Sequence, residues 1–298
     1  MLFDNKREVL VSIIIATYRR DKSLENALKS LLSQTYNNIE IIVVDDNSDF
    51  IWNEKVRRII TEINHPIKYI QNKENKGSAE TRNIGINVAR GEYITFLDDD
   101  DIYLQDKIKN QVEHMIIEKS DFSITDLELL SDSGKRIEIR KREYIEKTDT
   151  NSLLKYHLMY HMTGTDTMMF KRDYLLKIGC FPKIDIGDEF YLMLRAIEEG
   201  GKFSYLHESN IKAYVHINTD GLSSGDSKIN GENALHEFKI KFFHKLDKKS
   251  IRYIKMRHHA VIAFAEIRRK NYISFLVNSI KSVFCSPWGC FKLILDRY

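Results

Sequence analysis

The sequence predicts an α/β protein built on a doubly wound sheet with a helical C-terminal extension, on three observations. Short β-rich runs alternate with amphipathic stretches from residue 11 to about residue 126. Two of those runs, VSIIIAT and IEIIVV, are apolar almost throughout, and from about residue 230 the pattern is helical to the end. Taken in order, VSIIIAT (11–17) reads as a strand, 22–34 as a helix, IEIIVV (39–44) as a strand and 52–63 as a helix. IKYI (67–70) is the third strand, 79–89 the third helix, EYITFL (92–97) the fourth strand, 107–118 the fourth helix and FSIT (122–125) the fifth strand. This alternation gives a parallel sheet covered on both faces, which is what all-apolar central strands need. The segment KRIEIRKREY (135–144) alternates like an exposed or edge strand. Beyond it, 166–170 reads as a strand, 189–199 as a helix, and 203–206 and 211–216 as strands of the same domain.

The expected organisation is therefore an α/β unit over 1–229, divided into halves at residue 130, and a basic, amphipathic helical region over 230–298. With 298 residues, 43% hydrophobic and 30% charged, the chain has the composition of a globular protein rather than a disordered one. Its three cysteines, Cys180, Cys285 and Cys290, form neither a disulfide framework nor a zinc pattern, so reduced thiols and a cytoplasmic setting are expected. The opening MLFDNKREVLVSIII carries acidic residues where a secretory signal needs a basic flank, and no stretch is apolar for the length of a bilayer. The net charge of +3 conceals an asymmetry: from Leu235 onward the chain has ten more basic than acidic side chains.

In doubly wound sheets ligands bind beyond the carboxyl ends of the strands. Polar residues cluster at those ends here: Thr17-Tyr18-Arg19, Asp45-Asp46-Asn47-Ser48, and the run Asp98-Asp99-Asp100-Asp101 after EYITFL. Four adjacent carboxylates at the end of a buried strand repel one another unless a cation joins them, and hard oxygen ligands suit Mg2+ or Mn2+. The competing explanation is a solvated acidic turn capping the next helix.

VSIIIATYRR, VVDDNS, NKGSAETRNIG and GEYITFLDDDD, in this order and spacing, resemble the family 2 glycosyltransferases, which have the GT-A nucleotide-sugar-binding fold, a doubly wound mixed sheet. The resemblance covers about two-thirds of the chain. It implies that Asp46 accepts a hydrogen bond from the nucleotide base, with Asp45 structural, and that Arg82 and Lys76 face the nucleotide; by residue type, Gly77 permits an unusual backbone angle and Ser78 is the expected cap of the helix that follows. It aligns Asp98 and Asp100 with the Asp-X-Asp metal motif: Asp100 binds a divalent ion bridging the donor diphosphate, Asp98 and Asp99 support it or face the ribose, and Asp101 caps the following helix. Thr17, Tyr18 and Arg19 line the donor crevice. DIGDEFYLMLR resembles the family's acidic motif, making Asp188 the base for inverting transfer; Gly187 departs from the commonest form, so Asp185 and Glu189 stay as rivals. Asp188 as a mere cap for a helix starting at Glu189 is the bland alternative. His216, before Gly221-Leu222-Ser223-Ser224, matches a histidine that in some relatives approaches the metal.

The basic, aromatic C-terminal region fits either an amphipathic cap packed on the catalytic unit or helices lying on an anionic membrane. Nucleic acid is not an expected partner, since no recognised binding motif accompanies the basic residues. The expected partners are a nucleotide-sugar donor, with UDP favoured, and a glycan or lipid-linked acceptor of bacterial surface polysaccharide type, at the cytosolic face of the plasma membrane. Residues 135–143 and the aromatic stretch 156–169 are candidate acceptor walls. Two rival functions are a haloacid-dehalogenase-like phosphatase using Asp98 as nucleophile, against which Asp101 follows Asp100, and a non-catalytic nucleotide-sugar-binding homologue.

Overall fold

A computed structural model describes residues 8–184, 187–216 and 225–295. Strand β1 (Val11–Thr17) leads into α1 (Lys22–Leu32), whose first amide is held by the Asp21 carboxylate. β2 (Ile39–Asp45) precedes α2 (Phe50–Ile63), capped by Asp49, and β3 (Ile67–Gln71) precedes α3 (Gly77–Val88). β4 (Tyr93–Phe96), the short β5 (Ile102–Tyr103), α4 (Lys107–Glu118) and β6 (Phe122–Thr125) complete the first half. Then come β7 (Leu127–Ser131), β8 (Arg136–Arg140), α5 (Thr150–Tyr160), β9 (Met169–Lys171), α6 (Arg172–Lys177), α7 (Asp188–Glu198), β10 (Phe203–Leu206) and β11 (Ile211–Val215). The C-terminal helices are α8 (Gly225–Ile240), α9 (Lys248–Arg268), α10 (Tyr272–Cys285) and α11 (Pro287–Leu295).

Seven strands form the central sheet in the order β10-β6-β9-β4-β1-β2-β3, parallel throughout except for β9, which runs antiparallel to both neighbours. The sheet is thus mixed. Alternate residues of β1 face opposite layers: Ile13 and Ile15 pack with Leu24, Leu28, Val56 and Val112, while Ile14 packs with Ile86 and Phe96. A second sheet, β5-β11-β7-β8, ends in β8, whose alternating charges lie exposed at its edge as expected. Leu235 of α8 and Ile254 of α9 join the same core as the sheet, so α8 and α9 pack on the catalytic unit; α10 packs on α9.

Two expectations are corrected. The strand expected over 166–170 begins only at Met169, because Thr165–Thr167 forms a 3-10 turn that carries Asp166 beneath the acidic run. The aromatic stretch expected to wall the acceptor site instead packs inward: Tyr156 and Tyr160 lie against Tyr144, and Tyr160 against Tyr253 of α9.

Candidate active site

Strand register builds the crevice. Thr17 pairs with Asp45, so the ends of β1 and β2 are level, whereas β4 ends beside Ile14. The chain after β4 continues along β1, with the Leu97 amide on the Ile14 carbonyl, and reaches the level of Thr17 at Asp99. There the Thr17 hydroxyl donates to Asp99 at 2.7 Å. Tyr18 is exposed and stacks under the Arg19 guanidinium; Arg19 has a left-handed backbone (φ 53°), pinned by its amide bond to the Asn47 side chain.

At the end of β2 the aspartates divide. Asp45 is fully buried and accepts from Asn47, Asn53 and the Tyr69 hydroxyl, which makes it a structural hub. Asp46 accepts from Asn72 and from the amides of Lys76 and Gly77, at 2.8–3.1 Å, and so supplies a negative charge to the N-terminus of α3. A carboxylate has about four lone-pair positions, so roughly one is left for a ligand. Ser78 is not the cap: α3 begins at Gly77, whose φ of 77° needs glycine, and the Asp46 carboxylate does the capping. The Lys76 ammonium lies between Glu74 and Glu80.

The four aspartates do four different things. Asp98 receives the Arg82 guanidinium at 2.7 Å. Burial, with the neighbouring Asp100 charge, raises Asp99 to about 7. Asp100 faces Arg20 at 2.7 Å and the His216 Nε2 at 3.0 Å. Asp101 does not cap α4, whose cap position is Asp106; its carboxylate accepts the Tyr214 amide instead, joining the run to β11. Beneath them Asp166 accepts the Asp98 amide at 2.7 Å. Burial and mutual repulsion raise both Asp101 and Asp166 above the usual carboxylate range, and a proton shared between them relieves the repulsion.

Arg82 ties the two halves of the site together. It is 8% exposed, donates to Asp98 and, at 3.1 Å, to Asp188, and lies over the Phe181 ring. Burial opposes its charge, but Asp98 and Asp188 outweigh that and hold it more firmly protonated than usual. Asp188 is the first residue of α7, with left-handed Gly187 before it, so it does not cap a helix starting at Glu189; its carboxylate turns to Arg82. Burial and the adjoining Asp188 raise Glu189, which argues for a proton-bearing neighbour rather than a second free base. Asp185 and the stretch 221–224 lie outside the described residues.

His216 is brought to the acidic run as expected, and its other ring nitrogen meets Asp132 at 2.5 Å. A carboxylate on one nitrogen fixes the ring so that the other presents a lone pair. Asp100 and His216 thus converge as an oxygen–nitrogen donor pair, whose carboxylate suits Mn2+ or Mg2+ and whose imidazole favours Mn2+, and the Arg20 guanidinium stands where a cation would be attracted. Asp98 adjoins this pair in the chain but is committed to Arg82. The oxygens of Asp98, Asp101 and Asp166 lie within 4.8 Å of one another, yet the last two already accept backbone amides.

Arg20, Asp132 and Asp166 join the site without belonging to any of the sequence motifs' expected donors. Arg20 alone had a signal, as the second arginine of the YRR triplet. A concavity of about 830 Å³ lined by Glu8, Arg90, Glu92, Asp121 and Lys171 lies at the opposite, amino ends of the strands, away from this chemistry.

Comparison with known proteins agrees with this architecture. The model of glycosyl transferase family 2 matches residues 12–178. The chain is 32% identical, over 80% of its own length and 90% of the relative's, to an Escherichia coli protein named UDP-Glc:alpha-D-GlcNAc-diphosphoundecaprenol beta-1,3-glucosyltransferase WfaP. Among solved structures it resembles residues 1–349 of S. aureus TarS in complex with UDP-GlcNAc, with a TM-score of 0.61 at 17% identity, covering 92% of this chain and 91% of that one. It also resembles the mannosyltransferase PcManGT from Pyrobaculum calidifontis in complex with GDP-Man and Mn2+, with a TM-score of 0.56 at 17% identity, covering 94% and 74%. These likenesses establish the GT-A fold.

Proposed function

The chain belongs to glycosyl transferase family 2 and is a glycosyltransferase, and we propose that it moves one sugar from a UDP-sugar to a hydroxyl of a lipid-linked or glycan acceptor, with inversion. Family membership removes the phosphatase alternative, and Asp98, held by Arg82, is not free to act as its nucleophile. The observation that carries the reading is the Asp98–Arg82–Asp188 bridge, which couples the donor-side acidic run to a carboxylate at the start of α7 in a single crevice.

In this reading the remaining lone pair of Asp46 takes the imide N–H of the base, and Thr17, Tyr18, Arg19 and Gly77 line the nucleotide's path. Asp98 and Asp99 lie toward the ribose. Asp100 and His216 would hold a divalent ion, Mn2+ or Mg2+, with Asp98 beside them. When bound, that ion neutralises charge on the departing diphosphate. Asp188 accepts the proton of the acceptor hydroxyl as its oxygen bonds to the anomeric carbon and the bond to the diphosphate oxygen breaks. Arg82 donates to the Asp188 carboxylate and aims it. The lipid-linked acceptor is suggested by the name of the E. coli relative, which acts on a diphosphoundecaprenol-linked sugar; a role in bacterial surface polysaccharide synthesis at the cytosolic side of the membrane is part of the same proposal.

The test is a screen of UDP-sugars for hydrolysis and transfer with Mn2+, paired with two variants. Asp188→Asn should bind UDP normally and lose transfer; Asp100→Ala should lose the Mn2+-dependent part of UDP binding. Wild-type transfer by Asp188→Asn would overturn the base assignment, and UDP affinity indifferent to divalent ions would overturn the metal's role.

A further inference from the structure

Helices α10 and α11 turn a continuous apolar stripe to solvent. Ile273 is 79% exposed, Leu276 57%, Ile280 55%, Phe284 84% and Trp288 72%. The spacing of Ile273, Leu276, Ile280 and Phe284 by three or four residues puts these four on one side of α10, and Trp288 stands exposed on α11 just beyond the extended Ser286. The opposite side of α10 packs on α9, and Ser282 is its buried residue. A stripe of this size is not left uncovered by chance, since large exposed apolar patches mark interaction surfaces.

Charge selects the partner. Residues 267–295 contain five Lys or Arg and no Asp or Glu. Arg268 and Lys270 stand at the corner where α9 meets α10, beside Arg269, which is paired with Asp226 and Glu266, and exposed Lys281 flanks the stripe. A second copy of the chain seated on this face would bring like charges together with no carboxylate in the segment to meet them. A surface of anionic phospholipid supplies the missing counter-charge along with an apolar layer to receive the stripe. Among the described residues no helix is long and apolar enough to cross a membrane, and α10, at 14 residues, suits lying in the interface plane. Trp288, at the far end, is the side chain most suited to the headgroup level.

We propose that the α10–α11 face docks this enzyme, in plane, on an anionic phospholipid bilayer. The docking surface is separate from the crevice and stands whether or not the acceptor is lipid-linked. It fixes the crevice relative to the bilayer through packed helices: α10 on α9, α9 on α5, and α5 on α7, which begins with Asp188.

The experiment is co-sedimentation of the full chain with vesicles of phosphatidylglycerol and phosphatidylcholine, beside vesicles of phosphatidylcholine alone. Binding should favour the anionic vesicles, weaken with salt, and fall about tenfold or more in Phe284→Glu and Ile280→Glu. Both side chains are more than half exposed, so these variants should fold, as circular dichroism would verify. In a Trp52→Phe background, brominated lipid should quench Trp288 fluorescence. The proposal is overturned if the chain stays in the supernatant with every vesicle, if it binds neutral vesicles equally well, or if it is a dimer that Phe284→Glu dissociates. The assay reads no transfer, so its failure is distinct from failure of the proposed reaction.

Discussion

Replacing Arg82 by Met removes one buried cation from between two carboxylates, and the cost can be worked from its surroundings. Breaking a buried ion pair by deleting one partner costs about 3–5 kcal/mol, because the other charge is stranded. The two partners differ in access to water: the Asp98 side chain is 36% exposed and can be rehydrated, whereas that of Asp188 is 7% exposed and cannot. The expected loss is therefore about 3 kcal/mol, most of it from Asp188, within a total stability of roughly 5–15 kcal/mol. For a chain of this length that lowers Tm by about 5–8 °C. The assay is urea unfolding of the wild type, Arg82→Met, Asp188→Asn and the double variant. Removing the stranded charge should restore part of the loss, giving a coupling energy of about 1–3 kcal/mol. Arg82→Lys should keep much of the stability but lose turnover, since an ammonium cannot reach both carboxylates in the fork geometry of a guanidinium. If Arg82→Met costs less than about 1 kcal/mol and the double variant is simply additive, the bridge does not carry the charge balance argued for it.

Two further outcomes are expected. Asp132→Asn, at a side chain half exposed to solvent, should leave the fold intact and weaken Mn2+ binding about tenfold, read by electron paramagnetic resonance of free Mn2+, because it no longer fixes the His216 ring. His157 is fully buried, bonds through Nε2 to the Phe190 carbonyl, and has no partner on Nδ1; burial lowers it to about 3. A group depressed in the folded state contributes stability that is present above its unfolded value and lost as pH falls toward the folded one. Between pH 7 and pH 5 that loss is about 2 kcal/mol, and His157→Gln should abolish this part of the acid sensitivity in urea midpoints.

Much of this was readable in the chain because its signals are local. β1, β2 and β4 coincide with apolar β-branched runs, and Asp98 through Asp101 are visible as a run at the end of one of them. The roles within the run were less readable. Asp101 looks like a cap from its neighbours but is claimed by the Tyr214 amide, 113 residues away. Asp166 sits in a polar TDT triplet whose meaning depends on the Asp98 amide, and that demand turns the chain into a 3-10 helix where the sequence reads as strand. The Asp98–Arg82–Asp188 bridge spans three elements, and no periodicity encodes it. α5 carries no such signal in the sequence, because its aromatic residues, which resemble a binding wall, are the packing surface that joins the sheet to α9.

Seven carboxylates cluster between the acidic run and the start of α7, and two unit charges 4 Å apart interact by about 4 kcal/mol at an effective dielectric constant of 20, so their charge must be managed. Burial, with repulsion from neighbouring carboxylates, raises Asp99, Asp101, Asp166 and Glu189, which reduces their charge. Arg82 neutralises Asp98 and Asp188 but is itself buried and cannot withdraw. Asp100 is different: its cation, Arg20, is 38% exposed on the segment after β1 and can exchange for another cation without stranding a buried charge. This is the physical reason to assign the metal to Asp100 rather than to the closer-packed Asp98, Asp101 and Asp166. If exchange is the route, Arg20 competes with the ion, and the competition is worth what a partly exposed pair is worth, about 0.2–1 kcal/mol. Arg20→Gln should then tighten Mn2+ binding to the nucleotide-free protein by up to about fivefold, since each 1.4 kcal/mol is tenfold. Weaker Mn2+ binding in that variant would mean that Arg20 helps to build the metal site and does not compete for it.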